Sequence, residues 1–187
     1  MLHNLLTKAV SGEILMLRVL LLSFLMGTLA LLQGCSSGPS LENQPYYKGP
    51  MEARSDSATV YVFRPTDNGN RFINLSIKLD EQPVAELPSG GYIKLQMPEG
   101  THLFEAVTPP LGGDFLGDRF NISVKKGNVY FIAAEVGNTA PTDNRTLGVV
   151  KDGRFSGEHL FFRWALVPQL DAELRMRFCQ LVPATQS

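Results

Sequence analysis

The strongest constraint on the fold is a series of short apolar runs between residues 57 and 167, each ended by turn-forming residues. The runs are rich in β-branched and aromatic residues, and no helical periodicity separates them. Strands that recur about every eight to twelve residues are typical of antiparallel sandwiches and barrels. The runs predicted as strands are residues 59–64, 72–79, 83–87, 92–97, 101–107, 120–124, 129–136, 147–151 and 160–167. Asp152-Gly153, after the eighth run, predicts a tight turn.

The C-terminal region carries a helical pattern instead. Pro168 suits the first position of a helix, and Leu170, Leu174, Phe178 and Leu181 form an apolar stripe at three-to-four spacing. We expect a short helix that covers the sheet with this stripe; docking of the helix on a membrane is the alternative, disfavoured because its polar face is not rich in Lys and Arg. The predicted fold class is mainly β: an antiparallel β-sandwich of about eight to nine strands with one short C-terminal amphipathic helix.

The N-terminal region predicts an export signal. One basic residue precedes an apolar core at residues 19–32, which is short for a membrane-spanning helix. The core ends at Leu32-Gln33-Gly34-Cys35, which resembles the lipobox of bacterial lipoproteins. That resemblance implies that the Cys35 thiol receives a diacylglycerol group and that the chain is then cut before Cys35. A plain transmembrane anchor is the alternative.

The motif divides the chain into three regions. The predicted organisation is a signal peptide at residues 1–34, a lipid-anchored flexible tether at residues 35–56 and a β-sandwich domain with its C-terminal helix at residues 57–187. Glu13 is unusual in the positive region of a signal, so we hypothesise that translation starts at Met16. Ser36 is not the aspartate that retains lipoproteins in the inner membrane, so the resemblance implies the outer membrane, facing the periplasm.

The predicted anchor implies covalent lipid groups on Cys35 and the membrane as a partner. A diacylglyceryl group with an amide-linked acyl chain, typically palmitate, exceeds the two chains that stable anchoring needs. Membrane lipid is therefore a predicted partner, and no other cofactor and no metal is predicted. Tyr46 and Tyr47, in the tether, are expected either at the lipid interface or docked on the domain.

The charge balance argues against nucleic acid as a partner. The chain has 17 basic and 18 acidic residues. Residues 1–34 carry two of the basic residues and one of the acidic ones, which leaves 15 basic and 17 acidic residues. No basic surplus remains to neutralise phosphates.

The sequence offers little that predicts catalysis. His102 and His159 match no metal-binding spacing and are read as surface or core-edge residues. Ser156 is close to His159, but no nucleophile elbow surrounds it. A hydrolase would require one of these histidines to lie beside a carboxylate in a cleft. Cys179, the second cysteine, is expected to be buried between helix and sheet; an intermolecular disulfide is the alternative.

One loop is the predicted partner-binding surface. Residues 109–118 contain Leu111, Phe115 and Leu116 in a setting rich in glycine and proline. Apolar side chains on a flexible loop are suited to contact a partner, or else to fold over the end of the sandwich.

The middle of the chain resembles a known family. At residues 58–65, 77–87 and 90–102 it resembles the bacterial lipoprotein family catalogued as domain of unknown function DUF2846, and its Pro98-Glu99-Gly100 turn is similar to that of PEGA-type modules. The resemblance covers residues 57–136 and implies a β-sandwich in the cell envelope. Family members often have glycine in the first hairpin turn, where this chain has Glu81-Gln82. The family implies no activity, so it supplies no functional residue.

Together these observations predict a non-catalytic binding or interaction module of the cell envelope, with an envelope protein or a glycan as partner. A purely structural or stress-related envelope lipoprotein is the first alternative, and a periplasmic hydrolase is the second.

Overall fold

The computed structural model describes residues 39–49, 53–66, 74–107, 118–155 and 158–183. The strands are β1 (Ala58–Phe63), β2 (Leu75–Leu79), β3 (Gln82–Leu87), β4 (Gly91–Met97), β5 (Gly100–Val107), β6 (Asp118–Val124), β7 (Val129–Gly137), β8 (Thr146–Phe155), β9 (Glu158–Leu166) and β10 (Gln180–Leu181). One helix, α1 (Gln169–Met176), follows β9.

The strands form two sheets, which confirms the predicted mainly β sandwich. A six-stranded sheet has the order β10-β4-β1-β7-β9-β8, and a four-stranded sheet has the order β3-β2-β5-β6. Most neighbours are antiparallel, as expected, but β1 pairs in parallel with β7 and β10 pairs in parallel with β4. The described residues form ten strands because the two-residue strand β10, which has no β-type sequence run, is recruited by pairing with β4.

The sequence alternation explains which residues enter the core. In β6, residues Asp118, Phe120, Ile122 and Val124 are buried while the residues between them are exposed, as the two-residue side-chain period of a strand requires. Strand β1 is buried at every position because it is covered on both faces. Its Val60 and Val62 belong to the core between the sheets, and its Tyr61 and Phe63 belong to a second apolar cluster.

The second cluster lies on the outer face of the six-stranded sheet. Tyr61 stacks on Phe131 with ring centroids 5.2 Å apart, and Tyr47 contacts Tyr61 and Tyr92 edge-on at 5.6 Å. Ala172, Met176 and Cys179 close the cluster from the helical side. The molecule therefore has a third layer outside the sandwich.

Residues 41–47, which the sequence assigned to the tether, contribute to that third layer. The Tyr47 amide donates to the Cys179 carbonyl at 3.0 Å, and the Leu181 amide donates to the Pro45 carbonyl at 2.9 Å. The Gln180 side chain donates to the carbonyl of Leu41 at 2.9 Å. Tyr47 is buried and Tyr46 is 56% exposed. Residues 41–47 of the predicted tether are therefore docked on the domain, because Tyr47 fills a site in the aromatic cluster.

The predicted helix is present, but its predicted buried stripe is wrong. Leu170, Leu174 and Phe178 are 71%, 55% and 59% exposed, whereas Ala172 and Met176 are fully buried. Two residues correspond to about 200° of rotation around a helix, so the leucines lie on the face opposite the sheet. Leu181, the fourth residue of the stripe, lies in β10 and is partly buried.

The predicted tight turn at Asp152-Gly153 is wrong, because β8 continues through these residues to form a long hairpin with β9. Both residues lie within β8, opposite Phe161 and Leu160 of β9. The strand continues because the pairing with β9 extends to Phe155, which lies opposite Glu158. Local turn propensity is outweighed here by the sheet ladder.

The β2–β3 hairpin turn contains two residues other than glycine whose φ angle is positive. Asp80 and Glu81 have φ values of 49° and 68°, which matches a two-residue type I′ turn with both central residues left-handed. Glycine is preferred at such positions because a Cβ costs about 1–2 kcal/mol there. The turn type left open by the sequence is therefore settled.

Glu81→Gly is expected to stabilise the domain by about 0.5–1 kcal/mol. The physical reason is relief of the left-handed strain, offset in part by the greater entropy of glycine in the unfolded chain. Urea denaturation measures the difference. Glu99→Gly, at a position without a positive φ, is the matched control and should not stabilise. A Glu81→Gly variant less stable than the parent would contradict the assigned turn.

Candidate functional site

His102 on β5 lies beside a carboxylate, as an active-site histidine would. Its Nδ1 is 2.8 Å from Oδ2 of Asp80, and its Nε2 is 3.0 Å from the carbonyl oxygen of Pro98. The other Asp80 oxygen accepts from the Leu103 amide at 2.9 Å. Both partners of the ring are acceptors, so both ring nitrogens must donate and the imidazolium form satisfies the site.

Because both ring nitrogens already have hydrogen-bond partners, His102 is unsuitable as a general base. A catalytic histidine needs one nitrogen free to exchange a proton with a nucleophile or substrate. In His102 a carboxylate and a backbone carbonyl occupy both nitrogens, and the ring is only 9% exposed. The arrangement instead ties the β2–β3 turn to β5 and to the Pro98-Glu99-Gly100 turn.

The pKa of His102 is expected above its usual value. Burial opposes the charge, but the hydrogen bonds to Asp80 and Pro98 and the Asp80 charge together raise the pKa. A raised pKa in the folded state means that this stabilisation is complete below about pH 6.5, the unfolded value, and is lost as the pH rises through the folded pKa. NMR titration of the imidazole protons should show the raised pKa, and Asp80→Asn should lower it.

Asp152→Asn is the matched control for this titration. Asp152 pairs with the other described histidine, His159, so its substitution should leave the pKa of His102 unchanged. If His102 titrates at or below pH 6.5 in the parent protein, the proposed imidazolium is wrong.

His159 belongs to a surface pair on the β8–β9 hairpin. Its Nε2 lies 2.5 Å from Oδ1 of Asp152, and both side chains are about half exposed. The ring packs edge-on against Phe161 at 4.8 Å. Neither His159 nor His102 lines the three surface depressions whose walls the structure describes. The histidines are therefore beside carboxylates but not in a shared cleft.

The largest charged cluster of the described residues lies on the outer face of the six-stranded sheet. It is a chain of alternating charges, here called the ion-pair chain: Asp171, Arg145, Asp143, Arg163, Glu135 and Arg175. The successive N–O distances along it are 3.5, 2.9, 2.5, 2.7 and 2.5 Å. It links β7, β9, α1 and the segment that precedes β8.

Arg163 is the centre of the ion-pair chain and is 5% exposed. It contacts Glu135, its cross-strand neighbour on β7, and both oxygens of Asp143. Hydrogen bonds from Arg163 and Arg145 hold the pKa of Asp143 far below its usual range. Burial would raise the pKa of Glu135, but the hydrogen bonds from Arg175 and Arg163 lower it.

The ion-pair chain borders a surface depression of about 240 Å³ lined in part by Phe161, Arg163 and Arg175. Each charge in the chain has an oppositely charged neighbour, so the chain neutralises itself. We assign it to holding the helix and the segment before β8 on the sheet. Sequence reasoning missed it, although Arg163 within the apolar run of β9 was a signal, because a charge in a buried strand requires a partner.

Cys179 is buried, as expected, and its Sγ lies 3.7 Å from the carbonyl oxygen of Arg64. Among the described residues, no three His, Cys, Asp or Glu side chains are grouped so that they could hold a metal ion. No helix in the described ranges is long and apolar enough to cross a membrane.

Two predicted sites lie outside the residues that the structure describes. One is the lipobox of Leu32, Gln33, Gly34 and Cys35, and the other is the candidate partner-binding loop with Leu111, Phe115 and Leu116. They remain sequence predictions. No family model, no curated protein and no solved structure matches the chain.

Proposed function

We propose that this protein is a lipoprotein anchored through Cys35 to the outer membrane, facing the periplasm, where its β-sandwich is a non-catalytic interaction module of the cell envelope. The observation that carries the proposal is the Leu32-Gln33-Gly34-Cys35 motif at the end of an apolar core. Leu41, only six residues after Cys35, is bound to the folded domain, so a domain anchored through Cys35 would lie close to the membrane.

The described side chains support an interaction role over catalysis. Both nitrogens of His102 are bound to protein acceptors, His159 is part of an exposed surface pair, and the ion-pair chain is internally neutralised. His102 has no ring nitrogen left to exchange a proton with a substrate, and His159 lines none of the three described depressions. The resemblance to DUF2846 lipoproteins and PEGA-type modules agrees with this role, with an envelope protein or a glycan as partner.

Metabolic labelling with an alkyne analogue of palmitate tests the anchor. The two cysteines of the chain make a matched pair: Cys35→Ser should abolish labelling and move the mature protein from the membrane to the soluble fraction, whereas Cys179→Ala should retain both. The reason is that only the Cys35 thiol lies at the lipobox. Continued labelling or unchanged membrane fractionation of Cys35→Ser would refute the proposal.

Photo-crosslinking in intact cells tests the interaction role. A photoreactive residue in place of Phe115 in the candidate loop should capture a specific envelope component identified by mass spectrometry. A photoreactive residue at Lys126, in the turn before β7, is the control and should not capture it. Failure to capture any component from the loop, together with rescue of a deletion strain by protein with a scrambled loop, would favour the purely structural alternative.

A further inference from the structure

The outer surface of α1 carries apolar side chains that no described residue covers. Leu170 and Leu174 face away from the sheet, and Phe178 follows in the turn after the helix. Tyr46, 56% exposed, forms a bridge with Gln180 beside them. Tyr47 and Cys179, next in sequence to Tyr46 and Phe178, point into the core, so Tyr46 and Phe178 point outward. We call these four residues the apolar face: Tyr46, Leu170, Leu174 and Phe178.

The predicted lipid anchor, Cys35, is close in sequence to a segment that is bound beside this apolar face. The Leu41 carbonyl is bound by Gln180, and Gln180 is two residues after Phe178. Only residues 36–40 separate Cys35 from the docked segment, a distance of at most about 21 Å when fully extended. In an anchored protein, Leu41 and the neighbouring edge of the domain therefore stay within about 21 Å of the bilayer.

We propose, on the basis of the lipid anchor assigned under the proposed function, that the apolar face lies on the bilayer surface. The four side chains enter the boundary between headgroups and acyl chains, and α1 lies parallel to the membrane plane. A contact of this size is weak for a free protein, but a five-residue connection to the anchor makes it intramolecular and raises its effective concentration. The bilayer is thus a second point of contact besides the acyl chains.

The charges around the apolar face indicate that apolar burial drives the contact. Close in sequence to the four residues of the apolar face are two basic residues, Lys48 and Arg177, and two acidic residues, Glu42 and Glu173. These neighbours supply no basic excess that would attract anionic lipid. The Arg177 guanidinium lies 4.5 Å from the centre of the Phe178 ring, a position that suits the headgroup layer while the ring enters the acyl region. Docking should therefore depend little on salt or on the fraction of anionic lipid.

A second copy of the chain fits this surface less well. Stable protein interfaces bury roughly 800 Å² on each partner, and four partly exposed side chains offer much less. The bilayer needs no shape complementarity, and the anchor already brings it within reach. These two considerations favour lipid as the occupant.

Spin-label depth measurements on the lipidated full-length protein test this orientation. The mature protein is placed in phosphatidylethanolamine–phosphatidylglycerol vesicles and carries a nitroxide at Leu174→Cys or at Val149→Cys. Acylated Cys35 and buried Cys179 leave the introduced thiol as the reactive one. Val149 is 52% exposed and lies on β8, at the sheet edge opposite β10, so it is the matched control.

The expected result is a several-fold higher ratio of oxygen to nickel-chelate accessibility at position 174 than at position 149, unchanged at high salt. Equal aqueous accessibility at both positions, in protein that floats with the vesicles, would overturn the docking and leave the anchor intact. Failure to float would overturn the anchor itself. Dipolar broadening at position 174 at low protein density would instead identify a second copy as the occupant and overturn the lipid assignment.

Discussion

Replacing Arg163 with methionine is expected to lower the free energy of unfolding by about 3 kcal/mol at neutral pH. Methionine keeps much of the length of the buried side chain but removes the charge that Glu135 and Asp143 share. Two carboxylates would then face a site without its central cation. Urea denaturation followed by the fluorescence of Trp164, the one tryptophan of the chain, measures the loss.

The same substitution should change how the free energy of unfolding depends on pH in the acidic range. The pKa values of Glu135 and Asp143 are lowered in the folded protein, so their contribution is present above the unfolded values near pH 4 and is lost as the pH falls through the folded values. The difference between the parent and Arg163→Met should therefore be largest at neutral pH and shrink in acid.

An exposed ion pair provides the control. Arg54 and Asp56 are 2.9 Å apart, but their side chains are 59% and 66% exposed. Arg54→Met should leave the free energy of unfolding almost unchanged because solvent screens such pairs. If Arg163→Met costs no more than Arg54→Met, or if its effect does not depend on pH, the ion-pair chain does not hold the helix as described.

Replacing Gly148 with alanine is expected to destabilise the protein by about 3 kcal/mol. Gly148 has a φ of 72°, and a Cβ there would lie 2.8 Å from Oδ2 of Asp118 and 3.3 Å from the Arg119 carbonyl oxygen. Asp118 begins β6 of the four-stranded sheet and accepts a hydrogen bond from the Val149 amide. The added methyl group would thus force apart the contact between the two sheets.

Two other glycines separate the contributions to this effect. Gly127 has a φ of 79° with nothing within 4 Å of an added Cβ, so Gly127→Ala should cost only the backbone strain, about 1 kcal/mol. Gly137 has neither a positive φ nor a close neighbour, and Gly137→Ala should be nearly neutral. Equal costs for Gly148→Ala and Gly127→Ala would show that the sheet contact tolerates the methyl group.

The positions of the strands and of the helix followed from the sequence because they depend on local patterns. Alternation in β6 and the β-branched run of β1 are properties of neighbouring residues. The tight-turn signal at Asp152-Gly153 failed because the ladder with β9 extends β8 beyond it. Strand β10 was not predictable, since two residues become a strand only through pairing with β4.

The candidate sites show the same division. The sequence predicted His102 to be a surface or core-edge residue but gave no sign of its partner Asp80, which is 22 residues away. The ion-pair chain left one local signal, Arg163, while its partner Asp143 is 20 residues away in sequence. Which residues meet is decided by strand order, which a single sequence does not state.

The sequence by itself determined the run of strands and the amphipathic helix, and it predicts a signal with a lipobox outside the described residues. Each of these depends on residues within a few positions of one another. Only the tertiary structure decided which face of that helix is buried. Arg175, bound to Glu135 at a separation of 40 residues, and Gln180, bound to Leu41 at a separation of 139, hold the helix and the N-terminal segment in place. Such contacts are set by the packing of layers, so the helix buries Ala172 and Met176 and leaves its leucines outside.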